Sequence, residues 1–523
     1  MAVLVTPLLS EINNADATTN WSGNSGGLDD FVFVEGSASY TWQVAKNGTD
    51  TAEYAGTFPT NITTLYTNPH LYFWFRCDVS QFSLTRASDG MIVRVDDSGG
   101  NFIQWRFAGN DTWRGEWRCI PIDLSNTADI VSSSGTLDLD AITQVQWAVS
   151  TQNINFRAID NCWNDVFFIG EGLEVTGSAT TTGNFLREVA NVDGSSANQY
   201  GQLQLSDGVL LAQGKIVIGD GSTQVVYTSD AEILFFKDPS TGGLDGNAIG
   251  SMSSTLYTFQ ALGNSSNSTF SHTNGVISAA GGQNFVLDLD DTGFNTIEFV
   301  SNLVSKASEA RFWASTNCTV DACTFLNCGP VYPQGSDFKN CTISGATNTT
   351  LGALYLSDTT TIDNLSNVTV ADYNGTYGVY IPASVTGTID LNSIVFDNSG
   401  VDIFWAATSG TLTVSSNTAT TFQVAGGTAS VTIIAGQATL TITNLVLGSD
   451  VVIKESGTTS KLQDTQDVLV NSVGYTYTYS AGTFVDIAVY CEGYVPFFIN
   501  GYELGATDSS LPVAQAADRN YTP

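Results

Sequence analysis

A short repeat in the middle of the chain constrains the fold more than any other feature of the sequence. The motifs Asn317-Cys-Thr-Val, Asn340-Cys-Thr-Ile, Asn367-Val-Thr-Val and Asn392-Ser-Ile-Val recur at intervals of 23, 27 and 25 residues. Each unit supplies a short strand and a small polar residue in register with the next, as stacked rungs around a shared interior require. The repeat therefore predicts a right-handed parallel β-helix.

The predicted β-helix covers residues 173–430, where Gly, Ser, Thr and Asn alternate with short apolar strands. The segments GKIVIGDGST (214–223) and NFVLDLDDTGFNTIEFVS (284–301) have the same character. NLVSKASEARFW (302–313) is a weak helix candidate, and its alternative interpretation is another rung of the stack.

Residues 1–172 form a separate predicted domain, because eight of the ten tryptophans lie before residue 171. The segments HLYFWFRCDVS, DGMIVRVDDSGGNFIQWRFAG and ITQVQWAVS are apolar and β-branched, with Asp-Gly and Gly-Gly turns between strands. In the second segment, Met91, Val93 and Val95 alternate with more polar neighbours. These strands predict a jelly-roll-like β-sandwich.

Residues 431–523 form the third predicted domain. The segments SVTIIAGQATLTITNLVLGSDVVIKESG and YTYTYSAGTFVDIAVYCEGYVPFFINGYEL have alternating apolar positions separated by Gly-Ser and Ala-Gly turns. Such a pattern in a segment of this size predicts an immunoglobulin-like β-sandwich. The whole chain is thus predicted to be an all-β protein of three domains.

Charge and hydropathy argue against several classes of partner. The chain has 17 Lys and Arg against 51 Asp and Glu, a net charge of −34. No basic stripe is available to neutralise phosphates, so nucleic acid and anionic membranes are not expected partners. No apolar run reaches the length of a spanning helix. The apolar run at 2–9 has no basic residue before it, which predicts synthesis in the cytosol without a secretory signal.

The stretch WRFAGNDTWRGEWR contains three Trp-Arg dipeptides. If it forms a hairpin that turns at 109–111, the even spacing of the tryptophans places them on one face and the arginines on the other. One interpretation buries the tryptophans in the sandwich. The other has exposed tryptophans stacking on sugar rings while arginines hold hydroxyls or carboxylates. The candidate glycan-contact residues are Trp105, Arg106, Trp113, Arg114, Trp117 and Arg118.

Carboxylate pairs are the signature of glycoside hydrolysis, which requires an acid and a base about 5–9.5 Å apart. Asp138/Asp140 and Asp288/Asp290 are i, i+2 pairs, which lie roughly 6.5–7 Å apart on one face of a strand. Asp is abundant in this chain, so capping of strands or contact with water is the competing interpretation. No catalytic residue is assigned.

Two segments have some features of metal sites. DLDDTG (288–293) is rich in oxygen ligands of the kind Ca²⁺ prefers, but position twelve of an EF-hand loop would be Phe299 rather than Glu. A generic surface cation site remains open there. Cys318, Cys323, Cys328 and Cys341 depart from zinc-site spacing and are expected to be small apolar residues inside the helix. No metal ligand is assigned.

The remaining cysteines and histidines limit the chemistry further. All eight cysteines are expected to be free thiols, mostly buried. The histidines are His70 and His272, in different predicted domains, which argues against a His-based triad or a three-His metal site. No nucleotide-binding loop is present, and no cofactor is predicted.

The GKIVIGDG segment, the Asn-Cys-Thr rungs and the closing stretch GYVPFFINGYELGATDSSLPVAQAADRNY resemble virion structural proteins of tailed bacteriophages that combine a β-helix with a terminal β-sandwich. The resemblance covers about residues 173–523 and includes no catalytic motif. It implies a virion surface component such as a spike, fibre or decoration protein, often a homotrimer, and it carries over no active-site residue.

The resulting functional prediction is a non-enzymatic structural protein at the virion surface, made in the host cytoplasm, for attachment or host-surface contact. Expected partners are other virion proteins of the capsid or tail, further copies of the chain in a trimer that hides strand edges, and a host surface glycan. The alternative is a tailspike-like glycan depolymerase on the same scaffold, with Asp288 and Asp290 as candidate carboxylates.

Overall fold

The computed structural model describes residues 4–34, 36–66, 69–78, 91–107, 117–124, 132–151, 158–178, 185–190, 203–206, 208–236, 256–264, 267–279, 284–291, 293–397 and 399–519. The chain forms two compact units, Met1–Ala310 and Arg311–Pro523. Nearly all of the regular structure is β-strand, which confirms the prediction of an all-β protein. Within the described part of the chain, no helix has the length and apolar character needed to cross a bilayer.

In the first unit, the described residues up to Ser178 form a β-sandwich of twelve strands, with a one-turn helix α1 (Ile62–Leu65) and a 3₁₀ turn (Leu139–Ala141). The strands are β1 (Leu4–Asn13), β2 (Trp21–Gly23), β3 (Gly27–Asp29), β4 (Ser39–Ala45), β5 (Thr49–Tyr54), β6 (His70–Cys77), β7 (Met91–Asp97), β8 (Phe102–Phe107), β9 (Arg118–Asp123), β10 (Ser132–Ser134), β11 (Ile142–Ser150) and β12 (Ile159–Ser178).

Two antiparallel arrays make up this sandwich. One is a six-stranded sheet in the order β10-β8-β7-β11-β5-β2. In the other, β12 pairs with both β6 and β4. β6 pairs in addition with β9, and β4 with β3. Met91, Val93 and Val95 are buried on alternate positions of β7, as predicted. The core between the arrays is rich in aromatic rings, among them Trp42 and Trp147, both 0% exposed. The predicted sandwich is therefore present.

Strand β12 continues out of the sandwich into a stack of parallel strands, so the predicted boundary at 172 falls inside a strand. Up to Gly170 it pairs antiparallel with β6, and from Gly172 it pairs parallel with Lys215 and the residues that follow. Gly172 has a φ of +155°, and a Cβ there would lie 1.9 Å from the carbonyl oxygen of Lys215. Only glycine permits this close approach of the two backbones.

The strands that follow are short, and the last of them extends past Ala310, the end of the first unit. They are β13 (Leu203–Ser206), β14 (Val209–Ala212), β15 (Lys215–Ile218), β16 (Val225–Asp230), β17 (Ile233–Phe236), β18 (Leu256–Ala261), β19 (Thr269–Thr273), β20 (Val276–Ala279), β21 (Asn284–Leu289), β22 (Thr296–Val300), β23 (Leu303–Ser305) and β24 (Ala307–Phe312). The helix candidate at 302–313 is thus strand, as its alternative interpretation had it.

These strands form three parallel columns that the chain visits in a fixed order. β15, β18 and β21 pair in the first column, β16, β19 and β22 in the second, and β17, β20 and β23 in the third. Inward side chains stack from rung to rung: the ring of Tyr227 lies 4.5 Å from that of Phe270, at an interplanar angle of 12°. The interior is filled by side chains, as in a close-packed core.

Helix α2 (Phe185–Ala190) contacts β13, β14 and β16 near the start of these columns. Its Phe185, Leu186 and Val189 are buried, and Arg187 Nε donates to Oε1 of the fully buried Glu232 at 2.8 Å. The helix therefore adds buried apolar side chains and one ion pair to this part of the stack.

The second unit contains a further run of short strands and helix α3 (Thr359–Asp363). The strands are β25 (Cys318–Asp321), β26 (Thr324–Leu326), β27 (Val331–Tyr332), β28 (Asp337–Lys339), β29 (Thr342–Ser344), β30 (Leu354–Tyr355), β31 (Leu365–Ser366), β32 (Val368–Ala371), β33 (Tyr377–Ile381), β34 (Gly387–Asp390), β35 (Ile394–Phe396), β36 (Val401–Trp405), β37 (Thr411–Ser415), β38 (Phe422–Val424) and β39 (Ser430–Ile434).

Parallel columns again organise these strands. β27, β30, β33, β36 and β38 form one column, β26, β29, β32 and β35 another, and β25, β28 and β31 a third. β34, β37 and β39 form a separate parallel sheet. Because β39 ends at Ile434, the predicted boundary between residues 430 and 431 falls inside the parallel part of the chain.

The registers correct the sequence repeat. Asn340 and Asn367 occupy matching positions, because Thr342 pairs with Thr369. Asn392 is displaced by one residue, since Thr369 pairs with Val395. Asn317 precedes β25, which lies in a different column from β29 and β32. In this column successive rungs, at Thr324, Thr342, Thr369 and Val395, are 18, 27 and 26 residues apart rather than 23, 27 and 25. The step from Asn340 to Asn367 was predicted correctly, but the match of Asn317 and Asn392 to that position was wrong, because loops of different length separate the rungs.

A second β-sandwich closes the chain. Its strands are β40 (Gln437–Thr443), β41 (Ser449–Glu455), β42 (Lys461–Val468), β43 (Ser472–Thr478), β44 (Phe484–Tyr490), β45 (Phe497–Glu503) and β46 (Ser509–Pro512). One sheet has the order β43-β40-β46 and the other β42-β41-β44-β45. The first and last strands pair in parallel. Alternating apolar residues, such as Val451, Ile453, Val485 and Ile487, fill the core.

Candidate functional site

The predicted Trp-Arg hairpin lies largely outside the described residues, because its turn at 109–111 and the segment around Trp113 are not among them. β8 pairs with β7 and β10, whereas β9 pairs with β6 in the other array of the sandwich. Trp105 lies opposite Val93 and is 2% exposed, so it is a core residue and has no ring face open to a sugar. The burial of Trp105 agrees with the interpretation that places it in the sandwich core, and the hairpin itself stays a prediction.

The other residues of that stretch are described in part or not at all. Trp117 is half-buried and packs against a second apolar cluster, formed by Tyr72, Trp74, Cys119, Val166 and Phe168. Arg106 and Arg118 lie in β8 and β9, and only their backbone positions are described. Trp113 and Arg114 lie outside the described residues. Trp105 and Trp117 therefore belong to different clusters and do not share a face.

Both predicted carboxylate pairs are held in local turns. Asp138 accepts a hydrogen bond from the backbone N–H of Asp140 at 3.1 Å and caps the 3₁₀ turn. The hydroxyl and backbone N–H of Thr63 both donate to Asp140, and these bonds lower the pKa of its carboxyl. A general acid needs the opposite shift. Asp138 and Asp140 are thus anchors for the turn and for α1.

The segment at 288–293 is organised in the same way. Asp288 accepts from the backbone N–H of Asp290 and from the side chain of Gln260, each at 3.3 Å. Asp291 accepts from the backbone N–H groups of Gly293, at 3.1 Å, and of Gly263. The carboxylates of Asp288 and Asp291 are therefore engaged with N–H donors. Among the described residues, no cluster of three or more His, Cys, Asp or Glu side chains is arranged to hold a metal ion.

All eight cysteines are free thiols in the structure, and seven are buried. Cys323 and Cys341 donate to the carbonyl oxygens of Asp321 and Lys339, at 3.3 and 3.1 Å. They occupy neighbouring rungs, because Thr342, which follows Cys341, donates to the Cys323 carbonyl. These residues are small interior side chains, as the sequence predicted.

The two histidines are both buried and lie in different parts of the first unit. His70 packs in the sandwich against Tyr72, with ring centroids 5.7 Å apart. His272 is 1% exposed, neither of its ring nitrogens has a hydrogen-bond partner, and burial lowers its pKa to about 4. A neutral imidazole is the state that such surroundings favour. Neither side chain is placed to act on a ligand at the surface.

A polar cavity of about 260 Å³ lies in the second unit. Four separate parts of the chain contribute to its lining: the end of α3 with β31, the turn after β34, the start of β40 and the turn before β46. The lining residues are Ile362, Asp363, Leu365, Ser366, Asn367, Asp390, Asn392, Ser393, Gln437, Thr507 and Asp508. Sequence reasoning missed this cavity, because its residues are far apart in the chain and share no motif.

The cavity lining is acidic and rich in hydrogen-bonding groups. Asp363, Asp390 and Asp508 supply carboxylates, and no Lys, Arg or His is among the lining residues named above. Asp390 accepts from the backbone N–H of Asn392 at 2.9 Å, and Asp508 accepts from that of Thr439 at 2.7 Å. Anchored carboxylates, amides and hydroxyls of this kind suit a neutral polyhydroxylated ligand or a cationic one, and repel anions.

Asn392 is fixed tightly at the edge of the cavity. It is 8% exposed, and its Nδ2 donates to Oγ of Ser415 at 2.9 Å. Its Oδ1 is buried without a hydrogen-bond partner, which costs about 1–3 kcal/mol. A Cβ on Gly436 would lie 1.6 Å from this oxygen. Gly436 therefore leaves the space that the Asn392 amide occupies.

An aromatic ladder runs along the outer face of one column in the second unit. The half-buried rings of Tyr332, Tyr355, Tyr380 and Phe404 follow one another at 4.9, 5.1 and 5.3 Å, and Tyr377 stacks on Phe404 at 4.4 Å. Burial, with the charge of Tyr355 as a smaller cause, raises the pKa of Tyr380. The rings cover one another's faces, so the ladder braces neighbouring rungs rather than offering a platform to a sugar.

The ladder did leave a signal in the sequence that the prediction missed. Its four main aromatic residues are spaced by 23, 25 and 24 positions, which is the same period as the Asn repeat. A search for aromatic residues at the rung period would have found it.

No family model and no curated protein matches the sequence. Solved structures match parts of it. An exo-β-agarase shares 13% identity over 30% of this chain and 24% of its own, with a TM-score of 0.24. TmCBM61 in complex with β-1,4-galactotriose shares 13% identity over 32% of this chain and 86% of its own, with a TM-score of 0.17. A structure from work on botulinum neurotoxin type C, whose cell entry depends on interaction with two ganglioside molecules, shares 10% identity over 31% of this chain and 47% of its own, with a TM-score of 0.19. The chain spans about a quarter of the length of the agarase. Likenesses at these TM-scores assign no function.

Proposed function

We propose that the protein is a non-enzymatic structural component of a bacteriophage particle, a spike, fibre or decoration protein displayed at the virion surface for attachment or host-surface contact. The observation that carries this proposal is the set of parallel columns, in which short strands repeat in register around a filled interior. Each rung depends mainly on its neighbours, so such a scaffold extends at little cost and holds a surface rigidly. The resemblance to phage virion proteins supplies the biological setting.

The scaffold in this proposal is a right-handed parallel β-helix between a jelly-roll-like sandwich and an immunoglobulin-like sandwich. Support comes from the fixed order in which the chain visits three columns in the first unit. The partners in the proposal are other virion proteins and two further copies of the chain. A homotrimer would be measured as three chain masses by light scattering in solution, and a stable monomer would count against this part.

The surface contact in the proposal is the polar cavity, and its ligand is a neutral sugar unit of a host glycan. Support comes from the lining, in which carboxylates, amides and hydroxyls are present without a cationic side chain. Glycans with uronate, sialate or phosphate groups meet like charge there, on a protein whose net charge is already −34.

A glycan array tests the contact. We expect wild-type protein to bind neutral glycans, and Gln437→Ala to weaken that binding at least several-fold, because Gln437 is exposed and lines the cavity. Gln466→Ala, an exposed glutamine on β42, is the matched control and should bind like the wild type. Equal binding by both variants, or preference for anionic glycans, would remove the cavity from the proposal.

A glycan depolymerase is the second candidate function. Its candidate carboxylates are now those of the polar cavity rather than Asp288 and Asp290. Asp363, Asp390 and Asp508 line a single cavity, whereas Asp288 and Asp290 are tied into a turn. Incubation with the neutral glycans that bind should release reducing ends if this candidate is correct, and Asp390→Asn should abolish the release. Binding without any release favours the non-enzymatic function.

A further inference from the structure

Two cysteines of the N-terminal sandwich face each other across neighbouring strands. Cys77, the last residue of β6, pairs directly with Cys162 of β12, and their Sγ atoms are 3.0 Å apart. Both side chains are buried, with 4% and 0% exposure. Directly opposed residues of an antiparallel pair have Cα atoms about 4.5–5.5 Å apart, within the roughly 4.4–6.8 Å that a disulfide spans.

We infer that Cys77 and Cys162 are a latent disulfide site, which closes when the protein meets a small-molecule disulfide. The thiolate of one cysteine attacks the sulfur–sulfur bond of the oxidant, forms a mixed disulfide and releases one small thiol. The thiolate of the other cysteine then displaces the second small thiol. The two cysteines lose two protons and two electrons in total, and the oxidant is reduced to two thiols.

The position of the pair explains how an oxidant reaches the two thiols and why they react slowly. The pair lies where β6 ends, next to the last hydrogen bond between β6 and β12, which runs from Asp78 N to Asn161 O at 2.9 Å. Strand ends open more readily than strand centres, so an oxidant can reach this pair. Burial, and next the neighbouring Cys77 thiol, raises the pKa of Cys162 well above its usual range. Few thiolates are present at neutral pH, so the pair remains reduced in a reducing cytosol and closes slowly outside it.

The competing pair is Cys323 and Cys341, which lie on adjacent rungs of the parallel stack. Their thiols donate to backbone carbonyls, and Cys341 also has a side-chain hydrogen bond with Cys323, so both pairs have neighbouring sulfurs. Cys323 and Cys341 are each 1% exposed inside the stack, whereas Cys77 is the last residue of β6, at a strand end that opens more readily. The inference therefore names Cys77 and Cys162 as the pair that links first.

The test treats reduced full-length protein with oxidised glutathione at mildly alkaline pH, then alkylates the remaining thiols in denaturant and maps the peptides. We expect three of the eight thiols to be protected from alkylation: Cys491 as a mixed disulfide with glutathione, and Cys77 and Cys162 in one cross-linked peptide that contains both. The thermal midpoint should rise, because the link joins residues 85 positions apart and restricts the unfolded chain. Cys341→Ala should leave this cross-link unchanged, and Cys162→Ala and Cys77→Ala should each abolish it.

Cys491 shows that the oxidant is active, because it is the one cysteine that is not fully buried and should take up glutathione. Full alkylation of Cys77 and Cys162 in a sample whose Cys491 carries glutathione would overturn the inference. A first cross-link between any other two cysteines would overturn it as well. Neither outcome bears on the proposed function.

Discussion

The side-chain amide of Asn367 donates a hydrogen bond to Oδ1 of Asn340 on the preceding rung, at 2.9 Å. Asn340 in turn donates to Asp321 at 2.8 Å, so the contacts form a ladder across three rungs. Asn340 and Asn367 have φ angles of 53° and 52°, in the left-handed region that Asn tolerates better than most residues. At these positions Asn therefore does two things: it tolerates the left-handed backbone conformation, and its side chain forms hydrogen bonds between rungs.

Substitution of Asn340 separates these two contributions. We expect Asn340→Ala to destabilise the second unit by about 2 kcal/mol, since it loses the hydrogen bonds and adds left-handed strain. Asn340→Gly should cost less, because glycine removes the strain and loses only the bonds. Chemical denaturation measures both values, and equal losses for the two variants would show that the backbone conformation contributes nothing.

His272 should make the stability of the first unit depend on pH. Its pKa is lowered from 6.5 to about 4 in the folded state, so the unfolded chain binds more protons between these values and stability falls as the pH is lowered through this window. The loss from pH 7 to pH 4 should be about 3 kcal/mol, since one pKa unit corresponds to about 1.4 kcal/mol.

The variant His272→Phe isolates this effect, because Phe keeps a ring beside Tyr227 and Phe299 and cannot be protonated. Unfolding curves of both proteins across the window give the difference that belongs to His272. Parallel profiles for wild type and variant would contradict the prediction.

Trp105→Ala should destabilise the first unit by about 3–5 kcal/mol, because it leaves a large cavity in the sandwich core. Trp117→Ala should cost clearly less, since Trp117 is only half-buried. Fluorescence quenching with Trp→Phe controls should report a shielded Trp105. Ready quenching of Trp105 in folded protein would be incompatible with its position here.

Gly436→Ala tests the packing beside the cavity. The added methyl group would occupy the position of the Asn392 amide, so we expect a loss of about 1–3 kcal/mol and weaker binding of any cavity ligand. Gly505→Ala is the matched control, because its Cβ would find its nearest neighbour at 3.6 Å. If the two variants have the same stability and binding, Asn392 does not depend on Gly436.

Local patterns in the sequence predicted local structure well. The alternation in β7 reflects contacts between near neighbours, and the step from Asn340 to Asn367 reflects a contact between successive rungs; both are present. The face predicted to be shared by Trp105 and Trp117 is absent, because pairing partners are chosen by the whole sandwich and β8 and β9 lie in different arrays. A spacing argument contains no information about that choice.

The polar cavity could not be predicted from the sequence for a related reason. Asp363, Asp390 and Asp508 come together only after the parallel columns and the second sandwich have formed, and each belongs to a different segment. Among 51 acidic residues, nothing in their own neighbourhood marks these three. Asp288 and Asp290 drew attention because they are close in sequence, and closeness in sequence favours turns.

The continuity of β12 has a mechanical consequence. The same strand is bonded to β4 and β6 in the sandwich and to β15 in the parallel stack. Tension applied along the strand would load its lateral hydrogen bonds in shear, so that many must rupture together, whereas a flexible linker would simply extend. In the role proposed above, drag on the particle or a pull from a bound cell would be transmitted through this one uninterrupted strand.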